Sequence, residues 1–126
     1  MEFSANDRAL TAREFLALAA RVWPGDYDPV RTEAALARTQ NLTARDGGAL
    51  VGCLRILTDG CFFGTIPEIL VLPEYRRQGV GSRLLALARA STPTLLYFGA
   101  QPEACAFYEK NGCARSLPAY ELPPCR

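Results

Sequence analysis

Apolar residues return along this chain at two spacings, and each spacing predicts an element. Between Thr11 and Trp23, Phe15, Leu18, Ala19 and Val22 recur at intervals of three and four, which predicts a helix with one buried face. Thr11 with Glu14 three residues on reads as a capping box for its first turn, and Pro24-Gly25 ends it. Asp28-Pro29 reads as an N-cap followed by proline at the first helical position, opening a second helix to about Thr39. Residues 2–5 read as a short first strand.

The pattern then changes. NLTARDGGALVGCLRIL reads as two strands around the turn at Asp46-Gly47-Gly48, and Asp59-Gly60 turns the chain into a further strand, CFFGTIPEILVL, residues 61–72. Helical spacing returns after Gly79, with Leu84, Leu85, Leu87 and Ala88 on the inner face and Pro93 as the stop. TLLYFGA, residues 94–100, is a short apolar strand. Pro102 opens a last helix that Asn111-Gly112 closes. SLPAYELPP is too rich in proline for more than a short edge strand. The order is β-α-α-β-β-β-α-β-α, with hairpin strands and one strand–helix–strand crossover, so the predicted class is α+β, or mixed α/β. With no repeat or linker, 126 residues suit one domain over 1–126.

Composition narrows the chemistry. The net charge of +1, with 49% apolar and 21% charged residues, argues against a nucleic-acid or polybasic membrane partner. The N-terminus carries no apolar signal core and the chain no membrane-length apolar run. Five cysteines, no CxxC and no histidine exclude a Cys/His zinc site and remove the usual base for neutral pH. The expectation is a reduced, cytoplasmic protein without a metal, each cysteine serving as a small buried hydrophobe. Thirteen of the 14 basic residues are arginine, and alanine and leucine abound, which fits a GC-rich, bacterial genome.

The stretch VLPEYRRQGVGSRLLALARA concentrates the functional signal. An apolar strand breaks at Pro73; Arg76, Arg77, Gln78 and Gly79-Val80-Gly81 then lead into a helix. Such a turn exposes N–H groups at the positive end of a helix dipole, a site for an anion and most often a phosphate. The lysine of a P-loop is missing, and a dinucleotide fold would need a third glycine where Leu84 stands and an acid on the next strand.

Residues 69–81, ILVLPEYRRQGVG, resemble the signature of the GNAT acetyltransferases, and QPEACAFYEKNG resembles their second motif, Phe-Tyr-Glu-Lys-x-Gly. Both stand in the family's order and separation, and the matched plan runs from about residue 40 to 113. The resemblance implies a central mixed, mainly antiparallel sheet, splayed between its fourth and fifth strands (61–72 and 94–100), with about four helices. It implies acetyl-CoA as cosubstrate. The pyrophosphate would lie in the N–H groups of Gln78, Gly79, Val80, Gly81 and Ser82 beside Arg76 and Arg77. The pantetheine would run along the backbone of Ile69, Leu70 and Val71. Gln101 stands where the family usually has an asparagine for the pantetheine. Pro67, which cannot donate to a ladder, fits a bulge or splay.

Tyr108 occupies the family's general-acid position, where a phenol can donate to the leaving thiolate. Glu68 is the only carboxylate in an apolar strand and is nominated as base, directly or through water; an arginine-paired strand residue is the plainer alternative. The loop RVWPGDYDP combines Trp23, Tyr27, Asp26 and Asp28, which would suit a cationic amine, against the plainer reading of a core tryptophan and solvated caps. The implied function is acetyl transfer to a primary amine of a small molecule. The alternatives are a coenzyme A-binding regulatory module without catalysis and a protein or peptide N-acetyltransferase. A monomer or homodimer is expected, the short tail leaving room for a partner to complete the substrate side.

Overall fold

The computed structural model describes residues 1–125. Strand β1 (Glu2–Ser4) leads to helix α1 (Ala12–Val22). The capping box at its start forms both ways: Glu14 N–H donates to Thr11 Oγ1 at 3.1 Å and Thr11 N–H to Glu14 Oε1 at 3.1 Å. Asp28 caps α2 (Pro29–Arg38) by accepting from Val30 N–H at 2.9 Å and Arg31 N–H at 3.3 Å. Strands β2 (Gln40–Asp46) and β3 (Ala49–Thr58) follow as a hairpin, its turn taken by Gly47 and Gly48, both with positive φ. Asp59 builds the next turn, its Oδ1 accepting from the N–H groups of Cys61, Phe62 and Phe63 at 2.8–3.1 Å.

The expected strand over 61–72 is two strands, β4 (Gly64–Thr65) and β5 (Ile69–Val71). Both pair antiparallel with β3, but the register shifts by one residue between Leu57↔Thr65 and Leu54↔Ile69. Pro67 lies in that bulge, where its missing N–H costs no ladder bond. A 3-10 turn at Pro73–Tyr75 leads to α3 (Val80–Ser91), then β6 (Leu96–Tyr97), a second 3-10 turn at Pro102–Ala104, and α4 (Cys105–Lys110). No described residue beyond α4 is in a strand, which corrects the expected edge strand in the proline-rich tail.

The sheet runs β1-β2-β3-β4-β6, with β5 also paired to β3. All pairs are antiparallel except β4 with β6. Beyond Thr65 and Tyr97 the sheet opens, because β5 pairs with β3 alone. This is the splay expected between the fourth and fifth strands, and it shortens the strand read over 94–100 to two residues.

Side chains alternate between two cores. Leu42, Leu54, Ile56, Leu84, Val80 and Ala88 bury one sheet face against α3. Phe15, Leu18, Ala19, Leu36, Cys53 and Leu70 bury the other against α1 and α2. Of the five cysteines, all free, only Cys53 is fully buried, and burial pushes its thiol up to about 12. Cys61 and Cys125 are exposed, which corrects the expectation that every cysteine is a core residue. No described helix is long and apolar enough to cross a membrane.

Candidate active site

At the start of α3 the N-cap is Gly79, with φ +80°. A glycine takes this left-handed value without strain, and it offers no side chain to cap the helix. No side-chain hydrogen bond reaches the cap, and the first backbone bond across it runs from Arg83 N–H to Gly79 C=O at 3.0 Å. The first-turn N–H groups of Val80, Gly81 and Ser82 therefore have no intrahelical partner. Two residues earlier, Arg77 takes φ +63°, uncommon for a residue with a Cβ. Arg76, Arg77, Gln78 and Gly79 are all exposed, and neither arginine forms an ion pair among the described residues. The result is a curled, positively biased loop of open backbone donors, a geometry suited to an anion.

The neighbouring strand offers a second set of open groups. Arg55 N–H donates to Glu68 C=O and Leu72 N–H to Val51 C=O, so Glu68, Leu70 and Leu72 turn their backbones toward β3. Antiparallel alternation then turns the N–H and C=O of Ile69 and Val71 outwards, to the splay. Of the three residues expected to bind along this edge, Ile69 and Val71 present free backbone groups; Leu70 faces Cys53 in the ladder instead.

Helix α4 closes over this corner. A Cβ on Gly81 would lie 3.1 Å from Phe107 Cζ and 3.9 Å from Val71 Cγ2, so α3, α4 and β5 converge here. Tyr108 packs its ring against Phe98, just past β6, with centroids 4.9 Å apart, and edge-on against Phe107. Its hydroxyl has no hydrogen-bond partner among the described residues. Burial, with a smaller contribution from Cys113, holds the phenol above its ordinary value, so it is protonated at neutral pH. Gln101 is exposed at the start of the 3-10 turn before α4, its carbonyl accepting from Ala104 N–H at 2.8 Å.

Glu68 lies on the opposite sheet face, and its surroundings differ from the apolar ones expected. Arg55, directly across on β3, donates Nε to Glu68 Oε2 and Nη2 to Oε1, the latter at 2.8 Å. The arginine plane also sits over the Phe15 ring of α1, 5.7 Å from its centroid. The plainer alternative, an arginine-paired strand residue, is thus the arrangement found; the partner itself could have been read from the lone arginine in the apolar strand ALVGCLRILT, set opposite the lone carboxylate by the antiparallel pairing of β3 with β5.

Trp23 is half-exposed at the end of α1 rather than in the core. Tyr27 donates its hydroxyl to the Trp23 carbonyl, and Asp28 serves as the α2 cap. Two shallow grooves, about 310 and 510 Å³, flank α1 and include none of Glu68, Tyr108 or the 76–82 loop. No cluster of three or more potential metal ligands occurs among the described residues.

The family model described as an acetyltransferase (GNAT) domain matches residues 37–112, more than half of the chain. The chain belongs to the GNAT acetyltransferase family, and with it to the acetyl-CoA-dependent acyltransferases. No curated protein matches the sequence significantly. Among solved structures, a probable acetyltransferase of unknown function from Staphylococcus aureus is 20% identical, with TM-score 0.80 over 99% of this chain and 98% of that one. The aminoglycoside 6'-N-acetyltransferase AAC(6')-Ig of Acinetobacter haemolyticus is 18% identical, with TM-score 0.75 over 100% and 99% of the two chains. A third, AAC(6')-Iy in complex with a coenzyme A–acetylneamine bisubstrate analogue, is 18% identical, with TM-score 0.73 over 98% of each chain. At these identities the likeness is one of fold.

Proposed function

We propose that this chain, as one domain over residues 1–126, transfers the acetyl group of acetyl-CoA to a primary amine of a small molecule. The observation that carries the reading is the junction of two open backbone surfaces, the uncapped start of α3 and the free outer edge of β5. The N–H groups of Gln78, Gly79, Val80, Gly81 and Ser82, flanked by Arg76 and Arg77, hold the pyrophosphate. Ile69 and Val71 take the pantetheine amides as an added strand, with Gln101 as a further amide contact. That arrangement orients the thioester in the splay before any chemistry occurs.

The amine nitrogen attacks the thioester carbonyl carbon from the α1/α2 side. The C–N bond forms as the C–S bond breaks. Tyr108, protonated and at the mouth of the splay, gives its proton to the leaving sulfur. The ammonium proton of the new amide goes to Glu68, through water, and backbone N–H groups of β5 stabilise the carbonyl oxygen. Glu68 and Tyr108 stand on the two sides of the sheet, so base and acid approach the thioester from opposite directions.

The test is release of coenzyme A thiol from acetyl-CoA with a panel of small primary amines, neamine among them, beside a panel of peptides with free N-termini and lysines. Turnover of a small amine is expected. Turnover of peptides alone would assign a protein-modifying enzyme, and tight acetyl-CoA binding without turnover would assign a regulatory module.

A further inference from the structure

We infer that Arg55 is a positioning residue, which fixes the orientation of the Glu68 carboxylate and on which turnover therefore depends. This inference rests on the reading of Glu68 as proton acceptor. The guanidinium fork binds both carboxylate oxygens, and a planar bidentate pair fixes the carboxylate plane in a way that one hydrogen bond cannot. The arginine is itself held, by the ladder that sets it opposite Glu68 and by the Phe15 ring under its plane. Both side chains are mostly shielded from water, with 16% of Arg55 and 28% of Glu68 exposed.

The groups around them are already committed. Asn41, opposite Arg55 on β2, donates to Leu36 C=O and accepts from Thr39 Oγ1. Arg45 on β2 holds Asp7 and Glu14, and Arg21 on α1 holds Glu74. Cys53 on β3 stays a neutral thiol. Arg55 is thus the only cation paired with Glu68 among the described residues. Without it the carboxylate is left part-buried and unpaired, free to turn away from the site or out to solvent. Either change removes an oriented acceptor from the site.

A double-mutant cycle tests this, with coenzyme A thiol release from acetyl-CoA as readout and two probe acceptors, neamine and, over long incubations, water. Arg55→Met should lower kcat roughly ten- to a hundredfold, within the range of general acid–base contributions, with KM for acetyl-CoA unchanged. In a Glu68→Gln background the same change should cost less than about threefold, because Arg55 acts through Glu68. Arg55→Lys, which keeps the charge and loses the fork, should fall between wild type and Arg55→Met; it also carries the test should the methionine variant fail to fold. Costs that multiply in the double variant, or full turnover in Arg55→Met, would overturn the inference while leaving Glu68 as base. Full turnover in Glu68→Gln, or none by wild type on either probe, would overturn the base reading and this inference with it.

Discussion

Gly81 and Phe107 are in close contact: the first carbon of a side chain on the glycine would stand 3.1 Å from the ring, which would have to give by a few tenths of an ångström. The second glycine of the loop therefore serves the packing of α3 against α4, while Gly79 serves the turn through its φ of +80°. Gly81→Leu should destabilise the protein by about 1–3 kcal/mol through overpacking, read from urea unfolding. In a Phe107→Ala background the added cost should shrink. Equal cost in both backgrounds would show that the contact is not what requires glycine.

Tyr108 packs beside that contact and is the proton donor we propose. Tyr108→Phe keeps the ring on Phe98 and removes only the hydroxyl. Turnover should fall about ten- to a thousandfold with coenzyme affinity unchanged, measured by steady-state kinetics and calorimetry. The phenol's raised value sets the sign of its pH effect. The folded state gains stability from it below the ordinary value of about 10, and loses that gain as pH rises through the higher folded value. Tyr108 should therefore cause no alkaline loss of rate below about pH 10. A loss near pH 8 that vanishes in Tyr108→Phe would contradict this environment.

The α1 side of the fold hangs on Arg45, which ties Asp7 before α1 and Glu14 within it to β2 at 2.9 and 2.7 Å. Burial alone would raise Asp7, but hydrogen bonds from Thr43 and Arg45 outweigh it and hold the carboxyl below its ordinary value. Arg45 does the same for Glu14, chiefly by hydrogen bonding. Both groups then contribute stability that is present above their ordinary values near 4 and is lost as pH falls through the lower folded ones. Arg45→Met should flatten the acid limb of thermal stability between about pH 5 and 2. An unchanged limb would show that these pairs do not anchor α1.

What the sequence made legible was local chemistry. Thr11 with Glu14, Asp28 with Pro29, and the glycines of the turns act within a few residues, and each appears in the structure where its spacing predicts. The splay was legible only through the family resemblance, with Pro67 as its local marker. The division of 61–72 into β4 and β5, the reduction of 94–100 to Leu96–Tyr97, and the outward turn of Ile69 and Val71 depend on cross-strand register, which a single strand does not carry. Arg55 and Glu68 are 13 residues apart and meet only once the hairpin is paired. The half-exposed Trp23 and the exposed Cys61 and Cys125 show the limit of residue type as a guide to burial.

The central claim is that the start of α3 holds the coenzyme's pyrophosphate. Calorimetric titration of acetyl-CoA into wild type and Ser82→Glu tests it most directly, because Ser82 lies in the uncapped first turn and, unlike Gly81, already carries a side chain. Wild type should bind acetyl-CoA, and Ser82→Glu, folded to the same melting temperature, should bind it about ten- to a hundredfold more weakly, as a carboxylate set against phosphate demands. Equal affinity in the two proteins, or no binding by wild type, would contradict the account.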